Sequence, residues 1–432
     1  MVQKQKLSRG PFGVFDLGST KLACLILDRN AEGVPSVLGQ AMHAADGVKS
    51  AEITDLDAFS FAMGKTVEAA EKEAHVTIKE LHVVTSFGAP QLSRHFHEID
   101  IIDPSVSRRD IRKLEMKLPG LHEDDDRRSM LHTQAYHYML DGQTPVANPL
   151  GMQARSLGLA YAQLSMNRAS HANILRSAHL NHLQIGSIHH SAAMAGLACL
   201  DDDMREVGSL LIDFGGSTTS VALYQDAHLH FAATIKLGGS HITRDVAKML
   251  SLSTAEAEKL KALEGTVLPA LVQNNEILRP AFPQKGDNFV LAQPAHALDM
   301  LALPNGNEVE RTLLAQIISA RLEEILEQID GHLKAAGFGE ASRFRIMVTG
   351  GGSQLSGLAD FLSDYFRKPV ITSRPDGLTG LSDQISGGSF AASMGMAQFV
   401  CRTEDRQSGL TDSHTPSAGL FGRLKTWLHT HL

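Results

Sequence analysis

Cysteine is scarce: Cys24, Cys199 and Cys401 are the only three in 432 residues. They stand far apart in apolar surroundings, which excludes a disulfide or zinc framework and reads as buried thiols in a reducing compartment. Excess positive charge is also missing. The formal net charge is −8, so the chain lacks the surplus of cations with which a dedicated nucleic-acid binder displaces phosphate counterions. No apolar run reaches the roughly 18 residues of a spanning helix, and the basic start MVQKQKLSRGPFG has no signal-like apolar stretch behind it. The expectation is a chain neither secreted nor integral, whose membrane contact, if any, is peripheral. A Walker loop, G-x-x-x-x-G-K-[ST], is absent. The 21 histidines are scattered without metal-ligand spacing.

What remains is ample for a core. Hydrophobic residues make up 43% and charged residues 20%, and the length allows two or more domains. Gly13 to Phe15 is apolar, Asp16 to Thr20 turn-like and Lys21 to Leu27 apolar again, a strand-turn-strand signal. Helical spacing follows from 56 to 75, then a buried-strand candidate at Leu81 to Thr85, broken by Ser86 to Pro90. From 91 to 166 the texture changes. Charges cluster at 108–117 and 123–128, the HEDDDRR run reading as a solvated loop, and two strand-like pieces, 132–140 and 154–164, flank a Pro- and Asn-rich turn.

A helix over 171–182, a strand over 184–189 and a helix over 191–200 lead to a second copy of the opening signal: Leu210 to Ile212, a turn from Asp213 to Thr219, and Val221 to Tyr224. A strand at 229–236 and helices at 241–250 and 254–263 follow. Residues 266–308 are irregular and predict a flexible excursion. A long helix over 311–336 shows an apolar face of Leu313, Leu314, Ile317, Ile318, Leu322, Ile325, Leu326 and Ile329. Strand 345–349, three glycines and a helix over 354–366 complete the pattern. Residues 403–419 lack apolar periodicity and read as a disordered linker.

The chemistry lies in the repeated turns, DLGSTK (16–21) and DFGGSTTS (213–220). Gly18, Gly215 and Gly216 let backbone N–H groups approach phosphate oxygens. Ser19, Thr20, Thr218 and Thr219 add hydroxyls, and Lys21 adds a positive charge. Asp16 and Asp213 would repel a polyphosphate unless a cation sat between them, so they are assigned to hydrated magnesium. A pair of ordinary Asp-Gly hairpins is the plain alternative; two copies, each between strands and one per half, weigh against it. In VTGGGSQLSGLADFL (348–362), Gly350, Gly351 and Gly352 offer bare backbone for a flat adenosine, with Ser353 as a helix cap.

These three elements in this order resemble the actin, Hsp70 and sugar-kinase superfamily. The turn NPLGM (148–152) looks like the Asn-Pro-x-Gly-Met turn of the FtsA family of bacterial cell-division actin homologues, and GGSHITRDVA (238–247), beginning at Gly238, looks like its segment after the second phosphate hairpin. The likeness covers about 12–400 and 420–432 and is weakest over 266–308. It implies an α/β, actin-like (ribonuclease H-like) fold: duplicated domains around an ATP cleft, with an inserted small subdomain. The expected division is 12–85 with 166–207, an insertion at 86–165, 208–245 with 337–402, an outer piece at 246–336, the linker, and a terminal helix at 420–432. The likeness further implies ATP with Mg, self-polymerisation, binding to FtsZ in the outer subdomain, recruitment of other division proteins, and a peripheral place on the cytoplasmic side of the inner membrane at the septum. By the same likeness Glu256 and Lys259 border the nucleoside, and Gly387 to Met396 is the last connecting segment. Ser217 replaces the family's third glycine; a positive φ there would strain it by about 1 kcal/mol.

The final helix places Leu420, Phe421, Leu424, Trp427, Leu428 and Leu432 on one face, with Arg423 and Lys425 flanking it. That is the layout of an interfacial lipid anchor, and packing back on the protein's own core is the alternative. Two other functions compete with the adaptor. A superfamily sugar kinase or phosphatase needs a positioned carboxylate base, and none can be assigned. A pilus-assembly actin homologue would share the cleft but not NPLGM or the anchor. The expectation is ATP binding with at most weak turnover, the sequence leaving open whether ATP is hydrolysed or only bound.

Overall fold

The computed structural model describes residues 10–29, 35–117, 127–267, 300–303, 308–375, 378 and 387–408. The chain runs through β1 (Phe12–Leu17), β2 (Lys21–Arg29), β3 (Pro35–Ala44), the short β4 (Val48–Lys49) and β5 (Glu52–Ile53), α1 (Leu56–Ala74) and β6 (Glu80–Thr85). An excursion follows: β7 (Gln91–Asp100), α2 (Arg108–Lys117), β8 (Arg128–Leu140), β9 (Thr144–Val146) and β10 (Ser156–Asn167). The chain returns through α3 (Arg168–Leu180), β11 (Gln184–His190), α4 (Ser191–Cys199) and α5 (Asp202–Val207). The second half is β12 (Ser209–Phe214), β13 (Thr219–Gln225), β14 (His228–Ile235), α6 (Gly239–Leu250), α7 (Thr254–Glu264), β15 (Met300–Ala302), β16 (Glu308–Glu310), α8 (Arg311–Ala335), β17 (Arg345–Thr349), α9 (Leu358–Phe366), β18 (Val370–Thr372) and α10 (Ala391–Ser408).

The two halves repeat one plan. One sheet has the order β11-β6-β1-β2-β3 and the other β14-β13-β12-β17-β18. In each, the aspartate-bearing strand is central, with its hairpin partner antiparallel on one side and a parallel strand on the other. Asp16 is in register with Ala23 and Val84, and Asp213 with Ser220 and Thr349. Strands covered on both faces need near-continuous apolar runs, and FGVFDL and SLLIDF supply them. The excursion forms a separate antiparallel sheet, β7-β10-β8-β9, with its own core of Ile99, Val106, Leu114, Tyr138, Leu157 and Leu159. Its NPLGM turn sits between β9 and β10: Gly151, at φ +79°, donates to Val106 O at 2.8 Å, and Val106 donates to Met152 O at 2.9 Å. This sheet also reaches the second half, through Tyr136 Oη to Leu229 O at 2.8 Å and Arg94 over the Phe338 ring at 4.8 Å.

Helices α4 and α10 pack between the two sheets, and small residues let them touch. A Cβ on Gly395 would lie 1.7 Å from Met194 O, and one on Gly196 would lie 2.4 Å from the Tyr224 ring. Gly395→Ala therefore forces backbone apart at the centre of the molecule. It should cost about 3 kcal/mol, the upper end for overpacking, read as a fall in the urea midpoint at constant slope.

Several expectations need correction. The charge cluster at 108–117, given no element from sequence, forms α2, which buries Leu114 against the inserted sheet and turns the arginines outward. Strand β3 and helix α5 went unread because β3 is an edge strand with few fully buried positions and α5 is one short turn rich in Asp. On α8, Leu313 is 40% exposed and lies off the buried stripe, while Leu333 extends it. Within 266–308, Met300–Ala302 pairs with Glu308–Glu310; residues 268–299 lie outside the described residues. Helix α10 continues through Ser408 and so enters the stretch read as linker. The rest of that stretch and the terminal segment 420–432 lie outside the described residues. Among the described residues no helix is long and apolar enough to cross a membrane.

Candidate functional site

The two hairpins face each other across a cleft of about 1270 Å³, lined by Asp16, Gly18, Ser19, Thr20 and Lys21 from one side and Asp213, Gly215, Gly216 and Thr218 from the other. They interlock directly. Ser217 N–H donates to Ser19 Oγ at 2.8 Å, and Ser86 Oγ lies 3.0 Å from Thr218 Oγ1. The turns are built alike: a Cβ on Gly18 would strike Lys21 O at 2.6 Å, and one on Gly215 would strike Thr218 O at 2.7 Å. Each turn thus closes only over a bare glycine, which leaves its backbone open to a ligand.

Charge is concentrated at the floor. Burial raises the Asp16 carboxyl against the opposing pull of Lys21 and of the Ser393 hydroxyl, 3.4 Å away. Burial first, and then repulsion from Asp16, push Asp213 up to about 7 despite Lys21. Lys21 is itself held down by burial, with both aspartates pulling it back up. Its Nζ donates to Ser389 O at 3.0 Å and sits 3.6 Å from the Phe390 ring centroid. One ammonium cannot balance two desolvated carboxylates, so the floor is set for a further cation. Among the described residues no three His, Cys, Asp or Glu side chains gather for direct ligation. The aspartate pair suits a magnesium ion that keeps its waters.

Gly350, Gly351 and Gly352 line the cleft. Gly350, at φ +89°, is obligatory, since a Cβ there would lie 2.3 Å from Asp213 Oδ1. Ser353 is not a helix cap. It closes a short 3-10 turn, Gly351–Gln354, its hydroxyl donating to Gly350 O at 2.7 Å, and α9 begins only at Leu358, after the left-handed Gly357. Ser217 is not strained, for it is absent from the residues with left-handed backbone; its hydroxyl meets Ser240 Oγ at 3.2 Å behind the turn. Thr219 is buried and donates to Leu237 O at 2.9 Å. Gly238 supports the hairpin without lining the cleft: a Cβ would meet Gly215 O and Gly216 O at 2.7 Å.

Glu256 and Lys259 do not line the cleft. Glu256 forms a capping box with Ser253, its Oε2 accepting from Ser253 N at 2.9 Å, and Lys259 is exposed. Two residues further along α7, about 200° around a helix, Glu258 and Lys261 line it instead. Lys261 Nζ donates to Glu258 Oε2 and Thr243 Oγ1, each at 2.8 Å, and to Gly239 O at 3.1 Å. Burial disfavours the Glu258 charge, but hydrogen bonds from Lys261 and Thr243 outweigh it and hold the carboxyl below its usual range. Leu263, Leu355 and Gln354 continue this wall beside the glycines. Ser86, Ser191, Ser220 and the Gly388–Phe390 turn also line the cleft. Ser220 closes the DFGGSTTS turn and the last fell inside a segment singled out from sequence; Ser86 and Ser191, isolated serines beside apolar strands, carry no local signal.

Residues 210–395 match the profile of the family described as Cell division protein FtsA, and residues 88–163 match that of the SHS2 domain inserted in FTSA. The cell division protein FtsA of Rhizobium meliloti (strain 1021) is 31% identical over 421 residues, covering 95% of this chain and 90% of that protein. The FtsA of Neisseria meningitidis serogroup B is 26% identical, covering 96% of this chain and 97% of its own length. Among solved structures, the PilM-PilN type IV pilus biogenesis complex aligns with a TM-score of 0.61 at 14% identity, over 91% of this chain and 99% of that one. MreB 5 of Spiroplasma citri bound to AMPPNP aligns with a TM-score of 0.51 at 12% identity, over 94% and 100%. At such identities the structural likeness establishes an actin-like fold.

Proposed function

Because the chain belongs to the FtsA family of cell-division proteins, we propose that it binds ATP with magnesium between its two hairpins, polymerises, and tethers FtsZ to the cytoplasmic face of the inner membrane at the septum, where other division proteins gather. The observation that carries the nucleotide reading is the interlocked pair of aspartate turns that share Lys21 as a close cation. The glycine turns present N–H groups to the phosphates, Asp16 and Asp213 face the hydrated ion, and Gly350 to Gly352 with Leu263 and Lys261 flank the nucleoside. The magnesium ion, when bound, offsets phosphate charge next to the carboxylates. MreB 5, of the same fold, has been solved with AMPPNP and with ADP.

The membrane role rests on the sequence of 420–432. Burying its five or six large apolar side chains is worth on the order of 10 kcal/mol at most, and ordering the helix removes much of that. One copy binds reversibly; many copies on a filament hold through effective concentration. Among the described residues lining the cleft, each carboxylate is turned to the ion or to Lys261, which leaves the kinase reading without a substrate base. The pilus-assembly reading shares the fold, and membership of the FtsA family argues against it.

Two measurements test the proposal. ATP affinity should fall at least about tenfold without magnesium. Full-length protein should co-sediment with vesicles of anionic and neutral lipid, whereas a chain ending at Gly419 should stay in the supernatant. Failure of both ATP and vesicle binding would end the adaptor reading.

A further inference from the structure

A line of hydroxyls runs from the cleft floor into the core and ends on a histidine. Ser220 stands opposite Asp213 in the antiparallel β12–β13 pair and lines the cleft. Its Oγ accepts from Ser191 Oγ at 3.3 Å and lies 3.4 Å from Thr234 Oγ1. Thr234 Oγ1 is 3.0 Å from Nε2 of His190. His190 is fully buried, and among the described residues its Nδ1 has no hydrogen-bond partner.

These contacts fix a direction. Burial holds the ring near a pKa of 4, so at neutral pH it carries a single N–H. A buried N–H without a partner is rarer and costlier than an unmet acceptor, which places the proton on Nε2. His190 then donates to Thr234, and Thr234 donates to Ser220. Ser220 already accepts from Ser191, so its own proton is left for the cleft. A hydroxyl that accepts two hydrogen bonds is polarised into a better donor. A donor held beside a carboxylate pair serves a ligand that brings its own anionic oxygens.

We propose that His190 is a positioning residue: through Thr234 it turns the Ser220 hydroxyl into a donor aimed at the phosphate chain of the nucleotide. This rests on the nucleotide reading above and adds a determinant of phosphate affinity that no glycine turn supplies. It separates the contribution of the phosphates from that of the nucleoside, which lies against α7 and Gly350 to Gly352.

The test compares Thr234→Val, Thr234→Ser, His190→Phe and His190→Gln with the unaltered full-length chain. MgATP affinity is read by calorimetry, adenosine affinity by ligand-observed NMR, and folding by thermal melting. Val and Phe keep the packing and remove the donor; Ser and Gln keep a donor. Thr234→Val and His190→Phe should weaken MgATP about tenfold, the equivalent of one ordinary hydrogen bond, and leave adenosine affinity unchanged. Thr234→Ser and His190→Gln should return to within about threefold of the unaltered chain. Equal losses for MgATP and adenosine, no loss in any variant, or failure of both conservative variants to restore binding would overturn the relay while leaving nucleotide binding intact. If the unaltered chain binds no MgATP, the nucleotide reading falls and this inference falls with it.

Discussion

Asp213→Asn should weaken MgATP binding by at least about a hundredfold while making the empty protein more stable. The two effects have one cause. Asp213 is half-buried on the cleft floor with Asp16, and its carboxyl is pushed up to about 7 by desolvation first and by its neighbour second. In the empty cleft it is a liability, since its folded pKa lies above the unfolded value of 3.8. The folded state therefore holds a proton that the unfolded chain has released, and stability falls as pH rises from about 4 to about 7, then levels off. Asparagine removes that penalty, and Tm should rise by a few degrees at pH 7. Asparagine also removes the charge that makes a magnesium ion welcome, and two charge-assisted contacts are worth about a hundredfold. The same logic gives a pH signature for the unaltered chain. MgATP affinity should climb by up to about tenfold per unit towards pH 7 and flatten above it, because the ion displaces the proton. Calorimetry in buffers of different ionisation enthalpy reads that proton release. Unchanged MgATP affinity in Asp213→Asn would remove the assignment of the aspartates.

Acidification should unfold the protein between about pH 6 and 4.5, earlier than an ordinary carboxylate-driven transition. Three buried histidines of the first sheet, His82, His189 and His190, and the half-buried His132 on β8 carry the effect. Burial holds His82, His132 and His190 at about 4 and His189 well below its usual value. His189 is wedged between the rings of His132 at 5.6 Å and Phe399 at 4.5 Å. Each has a folded pKa below the unfolded 6.5, so stability is full above pH 6.5 and is lost as pH falls towards 4. Asp16 and Asp213 act in the opposite direction over the same window. The lowered histidines outnumber these two carboxylates, so unfolding takes up protons on balance and stability falls with pH below about 6.5. Tm followed against pH should therefore drop steeply below pH 6. His189→Phe, which keeps the aromatic packing, should shift the acid midpoint downward. A Tm that stays level from pH 7 to pH 5 would contradict the histidine account.

The acid prediction rests on residues that looked unremarkable in the chain. His189 and His190 end a strand, and nothing in their immediate neighbours says that β8 will bring His132 against one and β14 will bring Thr234 against the other. The cleft shows the same division. The DLGSTK and DFGGSTTS turns, the apolar strands that carry them and the three glycines after β17 are legible because each is a local pattern: a run of buried side chains, then residues that tolerate a tight turn. The NPLGM turn was legible for the same reason.

Helix α7 shows where local pattern stops. Its sequence, TAEAEKLKALE, is charged on more than one face, so periodicity places the helix without saying which charges meet the ligand. The capping box with Ser253 takes Glu256, and the packing of Ala257 and Leu260 then turns Glu258 and Lys261 into the cleft. Ser353 is a related case, drawn into a short turn because Gly350 must pass close to Asp213. By itself the sequence determined two aspartate turns on two like sheets, since apolar runs and glycine turns act over a few residues. Only the tertiary structure decided which polar side chains share the cleft. Contacts such as Ser217 with Ser19 or Lys21 with Ser389 join positions some two to four hundred residues apart, and the close approach of α4 and α10 across Gly395, not any local preference, brings the two halves together.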